Sequence, residues 1–131
     1  MQFVLNPWQS NVIVTTNLFG DIPSDMIAGL VGGLGAAPGA NIGEKAAIFR
    51  AMHGSAPDMA GKGLANPTAV LLAAGLMLDH VDMARRLRAA IDATLNEDNF
   101  RPKDLGGAAS TQEFAQAVTR RVQPIHRRQR K

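Results

Sequence analysis

The stretch that decides the fold is "AIFRAMHGSAPDMAGKGLANPTAVLLAAGLML", residues 47–78. Its first six residues, "AIFRAM", are predicted to form a short strand. Its last eleven, "TAVLLAAGLML", are an apolar run preceded by Asn66 and Pro67, a pair typical of a capped helix start. A strand, a long loop and a helix in this order indicate an α/β protein.

The loop between that strand and that helix, residues 53–68, consists mainly of small residues, which let a ligand approach the backbone closely. His53 follows the end of the strand, where open α/β sheets bind ligands. Asp58 can accept both hydroxyls of a ribose and would repel a 2′-phosphate, and the amide of Asn66 can recognise adenine. The alternatives are a structural histidine, a turn aspartate and a helix-capping asparagine.

Neither glycine-rich stretch of the chain fits the dinucleotide fingerprint of a Rossmann-type fold. "GKGLAN", residues 61–66, ends in asparagine and has no strand directly before it, and "GLVGGLG", residues 29–35, has the wrong spacing. If a dinucleotide binds to this chain, a different fold holds it.

The first 46 residues contain one predicted strand and one predicted helix. "VIVTTN", residues 12–17, is a β-branched run typical of a buried strand. A helix is predicted over 24–34 with Pro23 in its first turn, and residues 35–46 are predicted to form a loop.

The C-terminal half is predicted to be helical. A helix over 82–96 places Ala84, Leu87, Ile91 and Leu95 on one face and Arg85, Arg86, Arg88 and Asp92 largely outside. The last helix begins at a capping box, Ser110 with Glu113, and ends near Arg121. Two strands are too few to cover these helices, so we expect an incomplete sheet that belongs to something larger.

Asp21 and Asp25 are the candidate metal ligands. Four residues apart at the start of a predicted helix, their carboxylates project from one face about one turn apart. Oxygen ligands at this spacing suit Mg²⁺ or Mn²⁺. The alternative is that acidic residues favour a helix N-terminus, where the helix dipole stabilises them.

Composition limits the class of protein. The chain has 131 residues, of which 46% are hydrophobic and 19% charged, and these values predict one globular domain. It has no cysteine, which excludes disulfides and thiolate chemistry and suits the cytoplasm. The longest apolar run is shorter than a bilayer requires, and no secretory signal is visible, so no membrane association is expected.

Six of the fourteen Lys and Arg residues lie in residues 120–131, "RRVQPIHRRQRK". Residues 1–119 hold the other eight against eleven acidic residues, a net charge of −3. A terminal basic run of this kind is typical of a solvated, disordered tail. Nucleic-acid binding through it is the least favoured function, because no aromatic residue is interleaved for base stacking.

Three stretches together resemble a known family: "NLFGDIPSD", "GLVGGLGAAPGANIGEKAAIFRAMHGSAPDMAGKGLANPTAVLLAAGLML" and "DLGGAASTQEF". They are similar to the C-terminal part of the metal-dependent decarboxylating dehydrogenases, which include isocitrate, 3-isopropylmalate and homoisocitrate dehydrogenases. The resemblance covers residues 1–118, and "PGANIG" beside "GLVGGLG" is similar to the isocitrate branch. The resemblance therefore implies that residues 1–119 form a C-terminal segment of the isocitrate/isopropylmalate dehydrogenase-like fold.

The resemblance implies NAD- and metal-dependent oxidative decarboxylation of isocitrate to 2-oxoglutarate. Asp21 and Asp25 match the family's positions for Mg²⁺ or Mn²⁺ ligands. The matching coenzyme positions are His53, Gly54, Ser55, Ala56, Asp58, Met59 and Asn66. An acid at position 58 beside an apolar residue at 59 agrees with NAD rather than NADP.

The departures from the family concern catalysis. The family uses a tyrosine and a lysine for proton transfer, arginines and a serine for the substrate, and a third metal-binding aspartate. These motifs lie outside the present sequence, which has no tyrosine. We therefore expect the chain alone to be inactive and to form a homo-oligomer or pack with a homologous chain. The alternatives are a 3-isopropylmalate or homoisocitrate dehydrogenase fragment and a non-catalytic nucleotide-binding relic.

Overall fold

The computed structural model describes residues 1–78 and 81–122. Within them, helices and strands follow in the order α1 (Gln2–Leu5), α2 (Asn17–Leu30), β1 (Pro38–Ile42), β2 (Ala47–Ala51), α3 (Thr68–Met77), α4 (Val81–Asn96) and α5 (Thr111–Arg121). Single 3-10 turns lie between them at Pro7–Gln9, Leu34–Ala36, Pro57–Met59 and Lys103–Leu105. The chain is therefore α/β, as the strand–loop–helix pattern predicts.

The sheet is an antiparallel hairpin of β1 and β2, in which Pro38 pairs with Ala51 and Ile42 with Ala47. The tight turn between the strands is closed by the Gly43 N–H, which donates to the Ala46 carbonyl oxygen over 2.9 Å. Both strands pack against α3. The predicted strand over 47–52 is confirmed as β2, but the predicted loop over 35–46 is wrong, because its central residues form β1.

The predicted strand over 12–17 is also wrong. Residues 11–16 form neither helix nor strand, and Asn17 is already the first residue of α2. Val12 is 81% exposed and Val14 is 92% exposed. β-Branched residues favour strands only where a neighbouring strand supplies hydrogen bonds and packing, and the described residues place no strand beside this segment.

Helix α2 begins seven residues before the predicted start and ends four residues before the predicted end. Pro23 is therefore an interior residue, not a first-turn one. The helix ends at Leu30 because Gly32 and Gly33 adopt positive φ angles of 118° and 98°, a backbone conformation that terminates helices. Only Ala28 of α2 is buried.

The core lies where α4 and α5 pack together beneath α3. Its buried residues are Ala90, Ile91, Ala109, Phe114 and Val118, with Leu71, Leu72, Leu87 and Leu95 packed around them. The amphipathic pattern predicted for 82–96 is confirmed in α4, whose Ile91 is buried while the predicted outer residues, Arg85, Arg86, Arg88 and Asp92, are exposed.

The capping box of α5 is also confirmed: the Ser110 hydroxyl accepts a hydrogen bond from the Glu113 N–H, and the Glu113 carboxylate accepts one from the Ser110 N–H. Arg121 ends α5 and donates to the Asp98 and Glu97 carboxylates, which ties the ends of α4 and α5 together. Of the basic tail over 120–131, Arg120 and Arg121 lie in α5, and residues 123–131 lie outside the described residues.

No helix of the described residues is both long enough and apolar enough to cross a bilayer.

Candidate functional site

A cavity of about 600 Å³ lies beside the small-residue loop that follows β2. It is lined by Gly35, His53, Gly54, Ser55, Ala56, Met59, Ala60, Gly61, Gly63, Leu64, Ala65, Asn66, Asp104 and Thr111. The volume is in the range of small-molecule and cofactor sites. Six of the seven residues predicted to bind the coenzyme line this one cavity, and the exception is Asp58.

The N-terminus of α5 holds the far end of this loop in place. The Thr111 N–H donates to the Gly63 carbonyl oxygen over 2.8 Å, and the Thr111 hydroxyl donates to the Ala65 carbonyl oxygen. The two hydrogen bonds that Glu113 accepts from Ser110 hold the pKa of the Glu113 carboxyl below its ordinary value of 4.5. The capping box thus anchors the helix end on which the cavity wall depends.

Asn66 is buried in the cavity wall and uses both ends of its amide. Its Nδ2 donates to Asp104 Oδ2 over 3.0 Å. Its Oδ1 accepts from the Thr68 N–H over 3.0 Å. The Asn66 side chain therefore accepts from the first N–H of α3, but the N-cap position predicted for Asn66 belongs to Pro67, and the helix begins at Thr68 rather than at Pro67.

The near end of the loop is set by His53 and Ala56. The His53 side chain is exposed, and its Nδ1 lies 2.9 Å from the Gly54 carbonyl oxygen. Ala56 adopts the left-handed conformation, with φ 41° and ψ 62°, which is uncommon for a residue other than glycine. The Met59 N–H donates to the Ala56 carbonyl oxygen over 2.9 Å, closing the turn that brings Met59 to the cavity.

Asp58 lies in the same turn but does not line the cavity. Its side chain is exposed, and its neighbours on either side of the turn, Ala56 and Met59, do line it. The carboxylate is therefore exposed in a turn whose neighbouring residues line the cavity, and it is not part of the cavity wall.

Asp21 and Asp25 lie on α2 as its fifth and ninth residues, and both are exposed. Neither is in the first turn of the helix, so stabilisation at a helix N-terminus does not explain them. Their spacing keeps both carboxylates on one face, and oxygen donors suit Mg²⁺ or Mn²⁺. Within the part of the chain that the structure describes, no third acidic residue or histidine joins them. The assignment of Asp21 and Asp25 as metal ligands therefore stays a prediction.

Sequence reasoning assigned no role to Gly35, Asp104 or Thr111, although each lines the cavity. Asp104 and Thr111 both fall within the stretch "DLGGAASTQEF" that the family resemblance includes. The sequence does not signal that this stretch lies beside the loop, because only the fold brings the two together.

Comparison with known proteins identifies the family of this chain. The family model described as "Isocitrate/isopropylmalate dehydrogenase" matches residues 1–118. A 3-isopropylmalate dehydrogenase of Archaeoglobus fulgidus is 54% identical over 90% of this chain and 37% of its own length. Subunit 2 of the mitochondrial NAD isocitrate dehydrogenase of Schizosaccharomyces pombe is 53% identical over 86% of this chain and 31% of its own length.

Among solved structures, the isocitrate dehydrogenase of Methylococcus capsulatus superposes with a TM-score of 0.87 and 48% sequence identity, over 94% of this chain and 38% of that one. The chain thus spans less than two fifths of the length of these proteins, while almost all of it takes part in the match. On sequence and fold together, this chain belongs to the isocitrate/isopropylmalate dehydrogenase family.

Proposed function

We propose that this chain supplies the coenzyme-binding and metal-binding part of an NAD-dependent enzyme that oxidises and decarboxylates a 2-hydroxy acid. The observation that carries the proposal is the cavity of about 600 Å³, which six of the seven predicted coenzyme residues line in a chain of a dehydrogenase family. Its wall of glycine and alanine allows a nucleotide to approach the backbone.

The coenzyme would be held by the loop from His53 to Asn66. The small residues of this loop leave room for the adenosine, and Asn66 supplies fixed polar groups in the wall. Asp58, exposed in the turn next to two lining residues, would accept the ribose hydroxyls and repel the 2′-phosphate of NADP. This charge supports NAD as the coenzyme, which the name of the related Schizosaccharomyces pombe subunit also supports.

Asp21 and Asp25 would hold Mg²⁺ or Mn²⁺ together with oxygens of the substrate. When bound, such a metal supplies Lewis-acid chemistry, polarising the developing ketone and stabilising the enolate left by CO₂ loss. On the side of this chain, the two carboxylates would supply the negative charge that holds the ion on one face of α2.

Isocitrate is the proposed substrate. "PGANIG", residues 38–43, resembles the isocitrate branch, and both the Schizosaccharomyces pombe subunit and the Methylococcus capsulatus structure are named isocitrate dehydrogenases. The Archaeoglobus fulgidus relative supports 3-isopropylmalate as the alternative, and homoisocitrate is a second alternative of the same chemistry. All three are 2-hydroxy acids oxidised by the same type of reaction.

We further propose that the 131-residue chain does not turn over by itself and works, in the cytoplasm, in an assembly with a second copy or a homologous chain. Proton transfer in the family uses a tyrosine and a lysine, and this sequence contains no tyrosine. The chain would then contribute binding groups, and another polypeptide would contribute the acid and the base.

The test is a titration of the purified chain with NAD and with NADP, each with and without Mg²⁺ and isocitrate. Heat and the absorbance of reduced nicotinamide are followed together. We expect NAD to bind more tightly than NADP, with no rise in absorbance. NADH formation by the pure chain would contradict the proposed lack of turnover. Absence of nucleotide binding would contradict the coenzyme site. The 3-isopropylmalate alternative is tested by repeating the titration with 3-isopropylmalate in place of isocitrate.

A further inference from the structure

The pair formed by Asn66 and Asp104 is the most tightly specified polar feature of the cavity wall. Asn66 is only 5% exposed. The Asp104 carboxylate can only accept the hydrogen bond from Asn66 Nδ2, and the Thr68 N–H can only donate to Asn66 Oδ1. A flipped amide would place oxygen against oxygen and N–H against N–H. The two neighbours therefore allow one orientation of this amide.

The turn that follows α2 is packed directly on this pair. A Cβ added at Gly35 would lie 2.9 Å from Asp104 Oδ2 and 3.1 Å from Asn66 Cβ. Both distances are shorter than ordinary van der Waals contact, so any larger residue at position 35 would displace the pair. Three segments that are distant in sequence thus converge at one place, which indicates that the orientation of the pair is built into the fold.

The fixed amide has groups left over for a ligand. After its two hydrogen bonds, Asn66 retains one N–H of Nδ2 and one lone pair of Oδ1. Asn66 lines the cavity, so these remaining groups are the ones that its amide would offer to a base, and the donor and the acceptor cannot exchange places. Such a wall distinguishes a purine with a 6-amino group from one with a 6-oxo group, since their hydrogen-bonding patterns are opposite.

We propose that Asp104 is a positioning residue for the coenzyme's adenine, acting through Asn66 by holding its amide in one orientation, in the space that Gly35 leaves. The proposal rests on the proposed function of this cavity as the coenzyme site. Asp104 itself need not touch the coenzyme.

The experiment compares the full 131-residue chain with Asp104→Leu and Asp104→Asn. The leucine removes the acceptor, whereas the asparagine side chain can still accept from Asn66 Nδ2 through its own oxygen. Asp92→Asn removes one carboxylate from the exposed face of α4, away from the cavity, and controls for charge. The first readout is the NMR signal of the Asn66 side-chain amide and its rate of hydrogen exchange. The second is the affinity for NAD and for its nicotinamide hypoxanthine analogue.

We expect the Asn66 amide to be protected from exchange in the wild type and in Asp104→Asn, and unprotected in Asp104→Leu. Without the Asp104 acceptor, the Asn66 amide is no longer held in one orientation and loses its hydrogen bonds to the adenine. NAD affinity should therefore fall about tenfold in Asp104→Leu. It should stay within about twofold in Asp104→Asn. Of the two Asp104 variants, only Asp104→Leu should lose the preference for NAD over the hypoxanthine analogue.

Gly35→Ala is the second variant, because it disturbs the pair without removing either partner, and it should reduce the same preference. An unprotected Asn66 amide in the wild type would overturn the proposal. The proposal would also be overturned if Asp104→Leu kept its preference for NAD over the hypoxanthine analogue, or if it lost affinity for both dinucleotides equally. If the wild type binds neither dinucleotide, the proposed coenzyme site is wrong and the role of Asp104 in it falls as well. If the wild type binds NAD and Asp104→Leu binds it equally, only the role of Asp104 is wrong.

Discussion

Asp58 is the residue whose charge bears most directly on the choice of coenzyme. It is exposed in the Pro57–Met59 turn, next to residues that line the cavity. We expect Asp58→Lys to weaken NAD binding about tenfold, because the ribose hydroxyls lose an acceptor. The same change should strengthen NADP binding, because the new ammonium group attracts the 2′-phosphate.

Calorimetric titration of both coenzymes measures this change. Asp92→Lys on α4 is the matched control, since it makes the same change of charge at an exposed position that is not in the turn. A preference that is the same in Asp58→Lys and in Asp92→Lys would remove Asp58 from the ribose site.

At the scale of the element, α2 carries an unusual residue for its position. Pro23 lies inside the helix and cannot donate to the carbonyl of residue 19. Replacing it with alanine should stabilise α2 by up to about 3 kcal/mol, the cost of an interior proline. Because α2 buries only Ala28, the gain should appear locally, as slower amide hydrogen exchange within Asn17–Leu30.

The control for that substitution is Pro57→Ala. Pro57 is the first residue of its 3-10 turn, where a missing N–H removes no hydrogen bond. Pro57→Ala should therefore leave amide hydrogen exchange in α2 unchanged. Equal exchange rates in α2 for Pro23→Ala and for the wild type would show that the proline does not limit this helix.

The start of α5 is predicted to weaken in acid. Hydrogen bonds from Ser110 lower the pKa of Glu113 from 4.5, so the folded state favours the ionised carboxylate. A group whose pKa is lowered by folding contributes stability above its unfolded pKa and loses it as pH falls through the folded value. The stability contributed by Glu113 should therefore be complete above pH 4.5 and decline below it.

Urea unfolding between pH 7 and pH 3 measures this loss. The pKa of Asp98 is also lowered, by the hydrogen bond from Arg121, so the wild type alone does not isolate Glu113. Glu113→Gln supplies the comparison, because glutamine also completes a capping box and does not titrate. The difference between the two proteins should depend on pH, and a constant difference would show that Glu113 does not contribute.

The whole molecule exposes a large apolar surface near its N-terminus. Among the described residues, twelve of the 21 exposed large hydrophobic residues lie in residues 1–31, among them Trp8 and Phe19. Exposed apolar surface is unfavourable in water and favours association. We expect the chain to self-associate, with an apparent mass in sedimentation that rises over roughly 1–100 μM, the range typical of weak interfaces.

Leu18→Glu, on α2, should reduce this association because it places a charge in the apolar surface. Ile48→Glu, on β2, is the control, since Ile48 is 65% exposed and Leu18 is 66% exposed. A monomer at all concentrations, or an equal loss of association in both variants, would contradict an interface formed by residues 1–31.

The two corrected strands show where sequence patterns stop being sufficient. Residues 12–16 belong to a stretch with the composition of a strand but are exposed, and the described part of the chain places no strand beside them, whereas "PGANI" has little strand preference and becomes β1. A strand depends on the chain beside it, and β1 has β2 across a tight turn. The start of α2 was predicted too late for a related reason, since Pro23 resembles a first-turn residue when read locally.

The helices of the C-terminal half, the Ser110 capping box and the family motifs can be predicted from the sequence, because they depend on residues three or four positions apart or on contiguous stretches. The sequence also places all seven predicted coenzyme residues in one loop, and six of them line the cavity. Three further contacts appear only in the folded chain. Asp104, 38 residues beyond Asn66, accepts a hydrogen bond from its amide, and Gly35 leaves room for this pair. Thr111 donates to the carbonyl oxygen of Ala65 in the loop. These contacts join segments whose separation in sequence carries no periodic signal, so they exist only once the helices have packed.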